Sequence, residues 1–304
     1  MSQSNKVITF IQRFQVPEVG YQYLDRMFTV EEIEFVSGNE KDIFTIDDIA
    51  RSGVIDAEQF LKNSYRRGII SVVDLEKGSY KISNFYGRLD IFSISETDTY
   101  KKFPLEARDS LDEWYFEAYY KGLNQNPEVR PTDDEILPLE EVLSFIDGQE
   151  RPVYLNYCDC RSLRGDCGLS TKTCITYRDG INSFAHRGLS EKIDKEKAKE
   201  IVIKADKIGL MHTVNPNGIC NCCDDCCYLF RGQNRRGSSG FWPKTDNIIE
   251  LDTSKCIKCG KCVKRCHFEV FQKGYKILVH ETKCVGCGIC VQSCPAGALK
   301  LKGR

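Results

Sequence analysis

Two runs of cysteines near the C-terminus limit the possible folds of this chain more than any other feature. They read Cys256-x2-Cys259-x2-Cys262-x3-Cys266 and Cys284-x2-Cys287-x2-Cys290-x3-Cys294, and Pro295 follows the second run directly. A C-x2-C-x2-C loop can curl around a cubane so that each thiolate reaches a different iron while the loop amides point at the sulfides. The spacing therefore predicts two [4Fe–4S] clusters in this region.

Each predicted cluster takes its fourth ligand from the other run. We therefore assign one cluster to Cys256, Cys259, Cys262 and Cys294, and the second cluster to Cys284, Cys287, Cys290 and Cys266. The alternative is zinc, which uses paired C-x2-C knuckles. Two triple-cysteine loops, each with a distant fourth cysteine, fit zinc poorly.

The two runs resemble those of bacterial-type dicluster ferredoxins over residues 252–304. The resemblance implies a C-terminal domain with a βαββαβ-like fold. His267 departs from the pattern, because proline usually follows the first run. From Asp252 onward the chain has eleven Lys and Arg residues against three Asp and Glu. Such cations raise a cluster's potential and suit docking on an acidic partner, although a merely solvated basic face explains them equally well.

Nine further cysteines precede these runs, and we predict that all of them are metal ligands. Cys220-x2-Cys223-x2-Cys226 repeats the ferredoxin triplet, and an upstream cysteine is available as the fourth ligand. We expect a third [4Fe–4S] cluster here, while a fourth cluster and a structural zinc site remain alternatives. The predicted ligands are Cys158, Cys160, Cys167, Cys174, Cys220, Cys222, Cys223, Cys226 and Cys227.

The order of these groups resembles a family of multi-cluster 4Fe–4S ferredoxin-type proteins of anaerobes. The matching features over residues 155–304 are a CxCR segment at Cys158–Arg161, two further cysteines, a helix, a CNCCxxCC segment at Cys220–Cys227 and the dicluster tail. The resemblance implies clusters and electron transfer, and it says little about substrate. Arg161 is expected to contact cluster sulfur or to cover the site. His186 and His212 are expected to be ordinary, partly buried histidines.

Residues 45–83 have the pattern of a winged helix-turn-helix. Thr45 is a good N-cap for a short helix, and residues 56–67 form a second helix with Gly68 at its end. Two short alternating segments, residues 69–74 and 80–82, then flank a Lys-Gly turn. Lys62, Arg66 and Arg67 would lie on the helix that reads DNA in such a domain.

Charge argues against DNA as the partner of this module. Residues 1–150 carry 16 basic and 29 acidic residues, a net charge of −13, whereas residues 151–304 carry +12. DNA affinity depends on neutralising phosphates, which an acidic surface opposes. We therefore favour a structural or partner-binding role for the N-terminal half.

The remaining patterns complete an α+β domain plan. We predict helices over 104–122, 139–146 and 194–208, a linker over 124–134 and a flexible Gly/Ser/Arg-rich joint over 231–240. The proposed domains are a winged-helix-like domain (1–100), a helical connector (101–150), a mainly helical Cys-rich domain (151–240) and the ferredoxin domain (241–304).

Several function classes are disfavoured by the sequence. Seventeen clustered cysteines with adjacent pairs fit metal binding better than a disulfide framework. No apolar run is long enough for a membrane helix, and residues 1–14 lack a signal-peptide core, so we expect a cytoplasmic protein. There is neither a dinucleotide fingerprint nor a P-loop, which suggests dependence on a partner flavoprotein or other oxidoreductase. Electron transfer is therefore the leading hypothesis; a redox-sensing regulator and a catalytic iron–sulfur subunit are the alternatives.

Overall fold

The computed structural model describes residues 3–165 and 167–304, and it has the mixed helix and sheet content expected of an α+β protein. The chain separates into two compact units. The first unit comprises Met1–Tyr115, Ser162–Arg164 and Asp179–Glu191, and the second unit comprises Phe116–Arg161, Gly165–Arg178 and Lys192–Arg304. The four-domain division stays a prediction. In the described residues, no helix combines the length and apolarity needed to cross a bilayer.

Helices dominate the first unit, which contains a single two-stranded hairpin within its described residues. The elements are α1 (Gln3–Arg13), a 3-10 turn (Glu18–Tyr23), α2 (Leu24–Met27), α3 (Val30–Gly38), α4 (Ile46–Arg51), α5 (Ala57–Arg66), β1 (Ile70–Asp74), β2 (Ser79–Ile82), α6 (Phe85–Ser95), α7 (Thr97–Tyr100) and α8 (Leu105–Gly122), whose last turns belong to the second unit.

The predicted helix, helix and hairpin of residues 45–83 are all present. Thr45 begins α4, and its backbone N–H donates to the Asp48 carboxylate at 3.0 Å. Asp56 caps α5 by accepting from the Gln59 N–H at 3.0 Å, and Gly68 follows this helix with φ +77°, which favours glycine. β1 and β2 pair antiparallel, and Phe44 adds an isolated bridge to Tyr80.

A six-stranded sheet forms the centre of the second unit, in the order β3-β7-β8-β5-β4-β6. Its strands are β3 (Glu135–Leu137), β4 (Val153–Tyr157), β5 (Lys172–Thr176), β6 (Glu191–Ile193), β7 (Met211–Asn215) and β8 (Gly218–Cys222). The helices between and after these strands are α9 (Leu139–Asp147), α10 (Asp159–Arg164), α11 (Lys195–Ile208) and α12 (Tyr228–Arg236). This sheet corrects the prediction of a mainly helical Cys-rich domain: its strands are only three to five residues long, and the alternating cysteines of β8 resemble a ligand motif.

The predicted flexible joint over 231–240 is also wrong. α12 continues through Arg236, and Gln233 and Arg236 are buried. The Arg236 guanidinium donates to the carbonyl oxygens of Asn124, Asn126 and Val129, which also fixes the predicted linker over 124–134. These hydrogen bonds from a charged donor outweigh the flexibility suggested by the composition.

The C-terminal part of the second unit follows the order strand, helix, hairpin, helix, strand. These elements are β9 (Asn247–Leu251), α13 (Lys261–Arg265), β10 (Phe271–Lys273), β11 (Ile277–Val279), a 3-10 turn (Glu281–Lys283), α14 (Ile289–Ser293) and β12 (Leu299–Gly303). β9 pairs antiparallel with β12, and β10 pairs antiparallel with β11. The buried side chains of Ile249, Phe271 and Leu299 form the core between the two cysteine loops.

Candidate iron–sulfur centres

A cavity surrounds the first predicted ligand set. Cys256, Cys259, Cys262 and Cys294 all line it, together with apolar side chains such as Leu251. Cys259 is exposed, whereas the other three cysteines are half-buried. Four thiols around an apolar cavity, with no carboxylate or imidazole among the lining residues, suit a [4Fe–4S] cluster.

A second cavity is lined by all four cysteines of the second predicted ligand set. These are Cys266, Cys284, Cys287 and Cys290, with apolar residues around them. Cys284, Cys287 and Cys290 are buried, so this centre lies deeper than the first. Burial raises the pKa of the Cys287 thiol to about 12, and a metal cluster must therefore displace its proton on binding.

The two cysteine loops have matching backbones. Lys258 and Gly286 occupy equivalent positions with φ +57° and +71°, and Gly260 and Gly288 follow with φ +75° and +77°. These left-handed residues turn the amides inward, and the Gly286 N–H donates to Cys284 Sγ at 3.4 Å. The repeated geometry supports the same cofactor at both loops.

His267 takes up the position usually occupied by proline, and it joins the ferredoxin-like segment to the Cys-rich segment within the second unit. Its Nδ1 lies 2.9 Å from the Asp224 carboxylate and its Nε2 lies 3.0 Å from the Gly209 carbonyl oxygen. The hydrogen bond to Asp224 raises the pKa of His267. Histidine in place of the usual proline therefore adds polar contacts between these two segments.

Six of the nine upstream cysteines form a closed ring of mutually interacting thiols, here called the six-thiol ring. Each member contacts the next one, in the order Cys158, Cys160, Cys227, Cys222, Cys220, Cys174 and back to Cys158. The sheet assembles this ring, because Cys174 on β5 and Cys220 on β8 adjoin the paired residues Ile175 and Ile219.

Two of the six ring thiols have lowered pKa values, whereas the pKa values of Cys158, Cys160, Cys174 and Cys222 are raised. Hydrogen bonds from the Cys174 and Cys222 thiols lower the pKa of Cys220 to about 6. Hydrogen bonds from Cys160 and Cys222 also lower the pKa of Cys227. Thiolates are the metal-binding form of cysteine, so an iron–sulfur cluster held by four of the six members would displace protons from at least two of them on binding.

The other three upstream cysteines form a separate group, here called the Cys3Asp group. The Sγ atoms of Cys167, Cys223 and Cys226 and a carboxylate oxygen of Asp225 all lie within 4.8 Å of one another. Cys223 and Cys226 therefore belong to this group, whereas Cys220 belongs to the six-thiol ring. The sequence triplet Cys220-x2-Cys223-x2-Cys226 is divided between two sites.

Arg161 lies between the two groups and is buried. Its Nη1 is 3.8 Å from Cys223 Sγ, and its guanidinium also donates to Thr173 Oγ1 at 2.8 Å and to the Asn221 carbonyl oxygen at 3.1 Å. His212 is hydrogen-bonded to Asn221 at 2.6 Å, and His186 to the Tyr65 hydroxyl at 2.6 Å. Both histidines therefore have partners other than a metal.

Two carboxylates near the cysteines were not predicted. Asp159 lies within 4.8 Å of Cys158 and Cys160, and burial raises the pKa of Asp159 to about 6. Asp225 belongs to the Cys3Asp group. An acidic residue beside a cysteine was the available signal, but sequence spacing alone does not show which carboxylate turns toward the sulfurs.

The second tail centre adjoins the six-thiol ring through an apolar core. Cys287, Val285 and Ile289 from the tail pack in one buried cluster with Cys222 and Cys227 of the ring. The Phe230 and Phe268 rings also meet there, with centroids 5.4 Å apart. This contact brings ligands of the two centres into one continuous core.

Comparison with known families identifies part of the tail. The family described as "4Fe-4S binding domain" matches residues 277–300, which include Cys284, Cys287, Cys290 and Cys294. Neither the curated proteins nor the solved structures contain a match to this chain. The matched segment and the grouped cysteines support an iron–sulfur protein of ferredoxin type with the capacity for electron transfer.

Proposed function

We propose that this chain relays single electrons through several [4Fe–4S] clusters to or from a partner oxidoreductase. The observation that carries the proposal is the pair of apolar cavities, each lined by one complete predicted set of four cysteines. The clusters would supply reversible one-electron chemistry, and the protein would hold them, shield them and set their potentials. The strand–helix–hairpin–helix–strand order of the tail supports a dicluster ferredoxin fold.

We assign a third cluster to four members of the six-thiol ring. The shared apolar core of Cys287, Cys222 and Cys227 supports electron transfer between this cluster and the second tail cluster. The exposed Cys259 supports an entry or exit point at the first tail cluster. The path would then run from the surface through both tail clusters to the ring.

The charge distribution supports a docked protein partner. Lys258, Lys261 and Lys264 are exposed beside the first tail cluster and suit an acidic face of a flavoprotein or other oxidoreductase. The acidic N-terminal half would contribute to choosing that partner. A reducing compartment such as the cytoplasm suits so many free thiols.

Metal analysis and EPR test this proposal on the full chain purified without oxygen. Three clusters predict about 12 irons per chain, and the reduced protein should show signals of interacting [4Fe–4S]⁺ centres. Replacing Cys287 and Cys290 with serine should remove about four irons. A preparation that binds no iron after reconstitution, or that shows no reducible cluster, would contradict the proposal.

A DNA-binding regulator is the second candidate, because α4, α5, β1 and β2 follow the order of a winged helix. Arg67, a predicted DNA contact, instead pairs with Glu32 and Glu96 at 2.7 Å each. The side chain of Asn182, in the same unit, also exchanges two hydrogen bonds with the backbone of Val72 in strand β1 of the hairpin. A gel-shift titration at low salt decides between the candidates, and we expect no shift.

A further inference from the structure

We propose that Cys167, Cys223, Cys226 and Asp225 bind a single tetrahedral metal ion of the zinc class, separate from the iron–sulfur clusters. These three cysteines would then hold a mononuclear metal site and not a fourth iron–sulfur cluster. It stands on the Cys3Asp group alone, so it does not require the electron-transfer proposal to be correct.

The spacing of the ligand atoms supports one ion rather than a cubane. All four ligand atoms lie within 4.8 Å of one another. Two sulfurs bound to one tetrahedral zinc, each about 2.3 Å from the metal, are about 3.8 Å apart. A cubane instead holds each thiolate on a different iron, which spreads the sulfurs around the cluster. Among the described residues, the tail cysteines form no group as close as this one.

The surroundings of the group suit a structural metal. Cys223 and Cys226 are buried against Ala205 and Leu210, while Cys167 is half-buried at the edge of this core. Asp225 is exposed, so the group has one side open to solvent through which an ion enters. Four protein ligands with a largely buried sulfur core are typical of structural zinc sites.

Neighbouring groups stabilise the charge of the loaded site. Three thiolates and one carboxylate around a divalent ion have a net charge of −2, and Arg161 places a guanidinium nitrogen 3.8 Å from Cys223 Sγ. Such contacts around the ligands orient them and tune the metal.

The two consecutive aspartates have different roles. Asp224 pairs with His267 at 2.9 Å, so its carboxylate is directed toward the tail segment. Asp225 is the one that joins the three sulfurs. The bound ion would therefore fasten the loop containing Cys167 to the turn between β8 and α12, and loading would release the thiol protons.

Iron and zinc contents of the full chain provide the first test, after purification without oxygen. We expect about one zinc per chain in the wild type. Cys226→Ser should lose the zinc and keep its iron. The control changes Cys158, Cys160 and Cys227 to serine, which leaves only three thiols in the six-thiol ring, and it should lose about four irons and keep the zinc. Loss of about four irons from Cys226→Ser, with no zinc in the wild type, would overturn the inference.

Zinc K-edge X-ray absorption provides a second test that does not depend on a disrupted variant. The wild type should show three sulfur ligands at about 2.3 Å and one oxygen ligand at about 2.0 Å. Asp225→Cys should give four sulfur ligands, while the control Asp224→Cys should leave the spectrum unchanged. Four sulfurs in the wild type, or no added sulfur in Asp225→Cys, would rule out Asp225 as a ligand. Failure of the electron-transfer proposal would instead appear as missing iron and EPR signals.

Discussion

Gly286 is the residue in the tail loops with the least room for a side chain. It has φ +71°, and a Cβ there would lie 2.3 Å from both the Asn247 carbonyl oxygen and Thr245 Oγ1. Gly286→Ala should therefore disturb the second loop and cost about four irons per chain. Gly297→Ala is the matched control, because its φ is +56° but nothing lies within 4 Å of the added Cβ. Equal iron contents in the two variants would show that the contact does not matter.

Asp48 controls the acid stability of α4. The hydrogen bond from Lys41, then that from the Thr45 N–H, lowers the pKa of Asp48 to about 2 from its ordinary value. A depressed carboxyl pKa stabilises the fold above the unfolded value near 4, and this contribution is lost as the pH falls toward 2. Asp48→Asn should reduce stability at pH 6. The variant should also lose less stability than the wild type when the pH falls from 4 to 2.

Thermal unfolding followed by far-ultraviolet circular dichroism across this pH range measures the effect. Asp47→Asn is the control, since its side chain is exposed and lies on the same helix. If both variants have the same acid profile, the contacts made by Asp48 are not the cause.

Single residues also show where sequence reasoning ends. The two tail ligand sets could be assigned from spacing, because the loops that hold them are local in sequence. The Cys3Asp group could not be assigned from spacing, because Cys167 is more than fifty residues from Cys223 and the two meet only through tertiary packing. The regular spacing of Cys220, Cys223 and Cys226 favoured one shared cluster, whereas in the structure Cys223 and Cys226 lie close to Cys167.

At the level of elements, α12 anchors the irregular segment that precedes the sheet. Arg236 donates to the carbonyl oxygens of Asn124 and Val129 and lies 5.1 Å from the Trp242 ring centroid. Arg236→Ala should remove these hydrogen bonds from a charged donor and destabilise the segment by about 2 kcal/mol. Arg235→Ala removes a partly exposed pair with Glu117 and a contact 4.3 Å from the Tyr120 ring centroid, and it should cost about 1 kcal/mol without affecting residues 124–134.

Amide hydrogen exchange measures this prediction locally. Exchange over residues 124–134 should accelerate at least tenfold in Arg236→Ala and remain close to wild type in Arg235→Ala. Similar exchange in both variants would mean that α12 is held to this segment by other contacts.

The elements differed in how well the sequence revealed them. The boundaries of α4, α5 and α11 were predicted closely, because each helix is preceded directly by a residue type that favours the N-cap position: Thr45, Asp56 and Asp194. Some neighbouring strands of the missed sheet are distant in sequence, as with β3 beside β7, although β7 and β8 form a local hairpin. Pairing of that kind depends on long-range contacts, which no local pattern reports.

Negative charge is concentrated in the N-terminal half of the chain and positive charge in the C-terminal half. We expect the rate of electron delivery to depend on this distribution. Raising NaCl from 0.05 to 0.5 M should slow reduction by an acidic one-electron flavoprotein about tenfold, because salt screens the basic tail. Reversing Lys258 and Lys264 to glutamate should slow reduction at low salt and weaken the salt effect. Stopped-flow absorbance of the clusters measures the rate, and Lys62→Glu in the first unit is the control. If neither salt nor the lysine-to-glutamate changes alter the rate of cluster reduction, docking at the basic tail would be excluded.

The exposure of Cys259 also has a consequence for the lifetime of the protein in air. Oxidants attack accessible cysteine sulfur first, and the ligands of the deeper tail centre are mostly buried. On brief contact with oxygen, the outer centre should therefore decay before the inner ones. A molecule that has lost the outer cluster could no longer exchange electrons with a partner at its surface, while its inner clusters would remain. Reassembly of that one cluster would then restore the path.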